Sequence, residues 1–399
     1  MRLLRRIFER VVPLGIPLSW LQLTSERKRF YAALAGITFA VAMMLFQMGL
    51  RAALFKQVVA PIELLNADLL MVGPNYEYFG VGNGFPEARL HQAFGLEELD
   101  YATPLKLGTM SFKNVESGLE RDMFVIAFDP SRKVFTSDDI NAGSESLKRK
   151  GSVLFDRLSR EQYGDVAGAC AKNAESGGRV RTELGRARSE IESLVEIGAT
   201  FAADGNVLMS IPTFDEIWGG SPRGVVNVGV IKLKSGANVE KCAESLRAML
   251  PKDVSIMTMP QFIAKEKDYW AVRTPIGFVI SASMAVAIFV GAIIVYQILY
   301  TDVTDHLPEY ATLKAIGFDD RFFIWVILQE SMILSILGFI PGSAIAAALY
   351  FATRKIANMP TYLTAANLAV VFALTLFMCA AAGLLATRRL RSANPADIF

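Results

Sequence analysis

Four stretches of this 399-residue chain carry no charged side chain: residues 30–50, 274–301, 331–353 and 356–387. Each exceeds the ~20 residues that a helix rising about 1.5 Å per residue needs to cross a hydrocarbon core. Lipid offers the backbone no hydrogen bonds, so a spanning segment must be a helix or part of a closed barrel. A barrel strand alternates apolar and polar residues, and these runs do not alternate. The sequence therefore predicts an integral membrane α-helical protein with four transmembrane helices, over 30–50, 274–300, 322–353 and 364–387. A large mixed α/β extracytoplasmic domain, residues 51–273, is expected between the first and the second. Cleavage of the first helix as a signal peptide is not expected, because its charged leader is long and its apolar run ends Met43-Met44-Leu45-Phe46-Gln47-Met48 without small residues.

Charge then orients the helices. Residues 1–29 hold Arg2, Arg5, Arg6, Arg10, Arg27, Lys28 and Arg29 against Glu9 and Glu26, and residues 388–399 open with Arg388, Arg389 and Arg391. Basic residues beside a span resist translocation, so both termini are expected in the cytoplasm, which an even number of spans allows. Within the leader, Leu3, Leu4, Ile7, Phe8, Val11 and Val12 recur at helical spacing between arginines, the pattern of a helix lying in the interface. Residues 301–321 then form a cytoplasmic loop and 354–363 a short external one. Most of the charge, 27 Lys/Arg against 30 Asp/Glu, falls within residues 51–273 and marks a solvated folded insert.

Inside that insert, residues 62–72 read as a strand ending at Gly73-Pro74. Residues 225–233 and 254–258 read as strands flanking a helix marked by Val239, Cys242, Ala243, Leu246 and Leu250, a β-α-β unit. Residues 122–129 are strand-like, 176–193 suit a charged helix or surface arm, and Asp204-Gly205 signals a hairpin turn. Residues 262–272 form a helix running toward the second span, with Thr274-Pro275 at its entry.

Several functions are disfavoured. The near-balanced insert holds no basic stripe for nucleic acid. Two histidines, His91 and His306, and no Cys/His cluster argue against a metal site. Cys170 and Cys242 lie 72 residues apart in the insert, which leaves a bridge between them open. No phosphate-binding G-x-x-x-x-G-K-[ST] loop occurs, so no ATP is expected on this chain, and no hydrolase, zincin or kinase signature is present. Asp156-Arg157-Leu158-Ser159-Arg160 offers one acid and a hydroxyl without a base or metal partner, and reads as structural. Glu330, near the cytoplasmic end of the third span, is expected to pack or snorkel, with a gating or proton role as the alternative. Pro341-Gly342 is expected to bend that span.

The loop 301–321 is the most informative segment. Pro308 suits a helix's first turn, Glu309 its positive end, Ala311, Leu313, Lys314 and Ala315 its body, and Gly317 its C-terminal cap. Residues Glu309 to Phe318 (EYATLKAIGF) resemble the E-x-x-x-L-K-A-x-G segment of the FtsX/MacB-type permease superfamily. The longer match from Thr274 through Tyr310, with Pro17 to Leu23, Ala67 to Val72 and Asn394 to Phe399, is similar to the DevC family of cyanobacterial exporters. That resemblance implies a coupling helix in which Glu309, Tyr310, Leu313, Lys314, Ala315 and Gly317 contact an ABC ATPase on a separate polypeptide. It further implies a non-catalytic, homodimeric permease of the inner membrane. ATPase motion would pass to the periplasmic domain, a membrane-fusion adaptor and a TolC-like outer-membrane channel, and so expel a lipid-like or amphiphilic substrate. Three alternatives remain at this point: an FtsX-like regulator of a periplasmic partner, a sensor receptor and a membrane enzyme. The short tail after Thr387 leaves a sensor no effector, and the missing catalytic constellation counts against an enzyme.

Overall fold

The computed structural model of the chain describes residue 19 and residues 27–82, 84–175, 178–200, 203–219, 224–357 and 359–392. Most of the expected interfacial leader and the residues from 393 onward lie outside these. The chain begins its described course in helix α1 (Arg27–Glu63), followed by strands β1 (Leu69–Val72), β2 (Tyr76–Tyr78), β3 (Val81–Gly82) and β4 (Phe85–Pro86) and helix α2 (Glu87–Gln92). Strands β5 (Leu99–Lys113) and β6 (Glu120–Phe128), helix α3 (Asp138–Ser144), strand β7 (Ser152–Asp156) and helix α4 (Val166–Glu175) come next. Then follow β8 (Val180–Leu184), β9 (Ala187–Val195), β10 (Asn206–Ser210), α5 (Ile211–Trp218), β11 (Val225–Val226), β12 (Val228–Leu233), α6 (Val239–Met249), β13 (Ser255–Thr258) and α7 (Met259–Asp268). A π-helical turn, Tyr269–Arg273, precedes α8 (Pro275–Asp305), α9 (Leu307–Ala315), α10 (Asp320–Ala357) and α11 (Ala365–Ser392). The chain divides into two compact units, Met1–Ala53 with Phe278–Phe399, and Leu54–Gly277.

In the first unit α1, α8, α10 and α11 are long and apolar enough to cross a membrane. Half of the most apolar window of α1 is buried, against 22% in α8, so α1 is the inner helix and α8 shows lipid-type side chains outward. Phe278, Val286, Phe289 and Ile293 of α8 are all more than half exposed. Helices in lipid gain little from hiding apolar surface and associate by close packing, which small residues permit. Gly338 and Gly342 of α10, four residues apart, lie on α1. A Cβ on Gly342 would sit 2.7 Å from Val41 Cβ and 2.9 Å from the Thr38 carbonyl, and Thr38 Oγ1 donates to the Gly338 carbonyl at 3.4 Å. Pro341 is accommodated inside α10, which continues unbroken to Ala357. Tyr350 is buried and its hydroxyl donates to the Leu45 carbonyl. At one end of the bundle Arg29 of α1 pairs with Asp305 of α8.

All four helices outrun their charge-free cores. α1 starts at Arg27 and runs on to Glu63, because Val58 and Ile62 recur at helical spacing and are buried, Ile62 within the core of the inserted unit. The strand expected from residue 62 is therefore only β1, four residues long. α8 runs five residues beyond 300, and α11 continues to Ser392.

The second unit is built on a nine-stranded sheet in the order β13-β1-β12-β5-β6-β10-β7-β9-β8. The fifteen residues of β5 serve two partners: Leu99 to Leu105 pair with β12, and Lys106 to Lys113 with β6. β8 returns to bridge β5 at Phe112 and Leu184, so six strands close a ring. One face of that ring carries Phe112, Val125, Phe155, Leu184, Ile191 and Val207, all buried. Other buried residues of these strands, Leu107, Ile126, Leu154 and Leu208, join a core that also holds Ile62, Leu70, Val230 and Phe262.

Three expectations need correction. β12, α6 and β13 form, but β1 lies between the two strands, antiparallel to both, so the expected compact β-α-β unit is split. Residues 180–195 are the hairpin β8–β9 rather than a charged helix. Val180, Thr182 and Leu184 bury alternately beneath arginines and glutamates, and Gly185 turns the chain at φ 57°. Asp204-Gly205 makes no hairpin, because β7 separates β9 from β10; Asp204 instead pairs with Arg160 at 3.0 Å. Cys170 and Cys242 are free thiols in separate cores.

Candidate functional site

Helix α9 is the short helix expected between the second and third spans. Pro308 stands in its first turn, where a missing N–H costs nothing, and Glu309 lies exposed at the positive end. Its C-terminus closes with two backbone bonds: Phe318 N–H to the Leu313 carbonyl at 3.2 Å and Gly317 N–H to the Lys314 carbonyl at 3.1 Å. This is the Schellman pattern, which requires a left-handed residue just past the helix, and Gly317 supplies it with φ 111°. Phe318 and Leu313, the pair expected to touch in that motif, both pack on one small cluster.

That cluster decides what α9 shows to the outside. Val303, Tyr310, Phe323 and Ile327 form its buried centre, with Leu307, Leu313, Phe318 and Phe322 against it. Tyr310 is 2% exposed and meets the Phe323 ring edge-on at 5.3 Å between centroids. Leu307, Tyr310 and Leu313, spaced three apart, are thus the inward stripe. Of the six residues expected to touch a partner, Tyr310 and Leu313 instead anchor α9 to its own spans. Glu309 and Gly317 are exposed, Lys314 is half-buried in the last turn, and Ala315 is the last helical residue. The outward apolar side chain is one the sequence reading did not single out. Ile316 is 71% exposed and shares a face with Glu309 and Thr312 at positions i, i+3 and i+7. The spacing alone does not reveal it, since Ile316 lies three residues beyond Leu313; only the cluster around Phe323 separates the two.

In the inserted unit two buried carboxylates are fully engaged. Asp156 accepts from the backbone N–H of Leu158, Ile197 and Gly198 and from Asn206 Nδ2, at 2.8–3.1 Å. Burial pushes its pKa up while these bonds pull it down. With four donors and no nucleophile aimed at it, Asp156 ties β7 to β10 and the 197–198 loop. Glu266 of α7 accepts from the Tyr76 hydroxyl, the Phe79 N–H and Trp270 Nε1, at 3.0–3.1 Å. It clips the β2–β3 hairpin to α7 and the π-helical turn. Among the described residues no group of three or more His, Cys, Asp or Glu converges as metal ligands. In the membrane unit Glu330 is fully buried in α10, so it packs within the bundle rather than snorkelling.

Comparison with known proteins meets this geometry at α9. Residues 281–395, which include α9 and most of the three helices around it, match the FtsX-like permease C-terminal family. An uncharacterized ABC transporter permease of Methanocaldococcus jannaschii is 23% identical over 165 residues, 40% of this chain and 40% of that one. The alignment thus spans less than half the length of that relative. Two solved structures overlap the chain loosely. The periplasmic region of MacB from Actinobacillus actinomycetemcomitans has 10% identity and a TM-score of 0.34, covering 50% of this chain and 92% of that one. The extracellular domain of the noncanonic ABC-type transporter YknZ from Gram-positive bacteria has 11% identity and a TM-score of 0.31, covering 48% and 99%. Residues 281–395, with the E-x-x-x-L-K-A-x-G segment in α9, thus match an FtsX-like permease C-terminal region.

Proposed function

We propose that the chain is the permease subunit of an ABC exporter, and that α9 is the element on which a separate ATPase subunit docks. The observation that carries this reading is the build of α9. It starts on Pro308, is closed at its C-terminus by Gly317, is anchored through Tyr310, and is left with a small outward face of Glu309, Thr312 and Ile316. A rigid helix so anchored transmits a push to α8 and α10 instead of absorbing it. The sequence has no phosphate-binding loop of its own, so the energy has to come from another polypeptide. The basic residues flanking α1 and α11 favour α9 and both termini in the cytoplasm, with Leu54–Gly277 across an inner membrane. In the full reading two copies work together, with a membrane-fusion adaptor and a TolC-like channel, on a lipid-like or amphiphilic cargo.

The test belongs at the outward face, not at Leu313, whose replacement would also damage the chain's own packing. Ile316→Asp and Glu309→Lys are expected to lower ATPase co-purification at least about tenfold, since a desolvated unpaired charge at a contact is costly. Membrane levels of the permease should stay unchanged. Lys172→Glu, on the exposed side of α4, should leave association intact. Full ATPase association in both α9 variants would remove α9 from the interface. Intact ATP-dependent partner activation without cargo movement in the native protein would point to the FtsX-like regulator instead.

A further inference from the structure

Two cations without a counter-charge stand on the residues that lead into the second span. Lys265 of α7, Tyr269 of the π-helical turn and Arg273 at its end follow one another at four-residue spacing. Residues i and i+4 share a face of an α-helix, but eight α-helical residues carry the chain well round its axis. A π turn is wider and advances less per residue, so Arg273 stays on the face of Lys265 and Tyr269. Residue 274 then opens the charge-free run to 301, which puts Arg273 at the level where α8 enters lipid.

Among the described residues no carboxylate lies within ion-pair distance of Lys265 or Arg273. Lys265 is nevertheless half-buried, with its Nζ 5.3 Å from the Tyr76 ring centroid. Burial first, and then the charge of Arg273, hold its ammonium below the usual lysine range. Glu266, next in sequence, is turned to the Tyr76 hydroxyl, the Phe79 N–H and Trp270 Nε1. Glu77 and Asp268, the other acids nearby, are exposed. Like charges held close in a half-buried place are costly, and an anion bound between them removes that cost.

The surroundings say which anion. Tyr78 stacks on Tyr269 at 4.9 Å between centroids and meets the Trp270 ring edge-on at 5.3 Å. Tyrosine and tryptophan concentrate at the depth of lipid headgroups. Val272, beside Arg273, is 72% exposed, which suits acyl chains better than water. We infer that Lys265, Tyr269 and Arg273 bind the phosphate of an acidic phospholipid in the leaflet where α8 begins. The two cations flank the phosphate, the Tyr269 hydroxyl donates between them, and the acyl chains pass Val272. A zwitterionic lipid is disfavoured, because its own cation opposes Lys265 and Arg273. The assignment requires only that α8 crosses the membrane, so it holds in either orientation and apart from the exporter reading.

The test uses the full chain in vesicles of equal parts dioleoyl phosphatidylglycerol and dioleoyl phosphatidylcholine. A benzophenone is attached through Val272→Cys in a Cys170→Ser background, since Cys242 and Cys379 are buried. After photolysis, mass analysis of the labelled peptide counts the adducts of each lipid. Phosphatidylglycerol adducts are expected to outnumber the others by at least about fivefold, the effect of one basic residue at a lipid surface. Lys265→Gln combined with Arg273→Gln should bring the ratio to about one. In the native face, raising the salt from about 0.05 to about 1 M should do the same without a mutation. Lys267→Gln, two residues round the helix from Lys265, should leave the ratio unchanged. A ratio near one at low salt, no adduct with either lipid, a ratio that survives both the double substitution and salt, or an equal fall with Lys267→Gln would overturn the assignment.

Discussion

Glu266 shows what one side chain does in the inserted unit. A carboxylate can accept several hydrogen bonds at once, and Glu266 takes those of Tyr76, Phe79 and Trp270 from three directions. Glutamine of the same shape must turn an NH2 toward one of those donors. Glu266→Gln is therefore expected to cost about 1–3 kcal/mol, the usual loss for an unsatisfied buried group. Burial is the main influence on the native carboxyl and raises its pKa above the ordinary glutamate value of 4.5, with the three hydrogen bonds opposing. A proton thus binds the folded chain more tightly than the unfolded one. This group's contribution to stability is complete below about pH 4.5 and is lost as pH rises through the raised pKa. Lys265, whose Nζ lies 5.3 Å from the Tyr76 ring centroid, moderates the effect but does not reverse it. Hydrogen exchange at Phe79, followed from pH 4 to 8, should show protection declining with pH in the native chain and a flatter profile in the glutamine variant. Parallel profiles would mean that another group controls the clip.

At the scale of elements, the α1–α10 seam makes the sharpest demand on sequence. At Gly342 the α1 backbone itself is the obstacle, since the Thr38 carbonyl would sit 2.9 Å from an added Cβ. Gly342→Ala must therefore push the two helices apart, with a loss of about 1–3 kcal/mol, as for overpacked cores. A fall in melting temperature in detergent, with no fall for Ala344→Leu at an exposed position two residues on, would be the expected pattern. Equal melting of native and Gly342→Ala chains would show that the seam is looser than its geometry. This seam was only half legible in the sequence. Pro341-Gly342 stood out as a bend, whereas the contact depends on which face of α10 meets α1, and that follows from the whole bundle. Strands were legible where both faces bury, as in β12 with Val228, Val230 and Ile231. In β8 and β9 the exposed positions are arginines and glutamates, and their density hid the alternation at Thr182, Leu184, Ser189 and Ile191. In α9 the cap at Gly317 was legible because only a residue tolerant of positive φ ends a helix that way. The roles of Leu313 and Ile316 were not, because both are apolar and only the cluster around Phe323 says which is inside.

For the whole molecule, the plan of four spans around a folded insert was written in the absence of charge, the one pattern that tertiary context cannot override in lipid. Sidedness is set by the basic residues before α1 and after α11. The Arg29–Asp305 pair adds one constraint, for it brings the start of α1 and the end of α8 to the same end of the bundle. Chain continuity then places α9 at that end as well. If basic residues hold that end in the cytoplasm, everything between α1 and α8 that is folded and polar must lie across the membrane. Single cysteines test this directly in a background where Cys170, the one half-exposed native thiol, is serine, with Cys242 and Cys379 buried. Cysteine at Thr312, exposed on α9, should stay unlabelled by an impermeant maleimide in intact cells and react once the membrane is opened. Cysteine at Glu116 or Lys172, exposed in the insert, should react without permeabilisation once the outer envelope is open to the reagent. Both classes must hold together, because the single span α8 separates α9 from the insert and so fixes one side as soon as the other is known. Labelling at 312 from outside, with silence at 116 and 172, would invert the molecule and place α9 beyond the reach of any cytoplasmic ATPase.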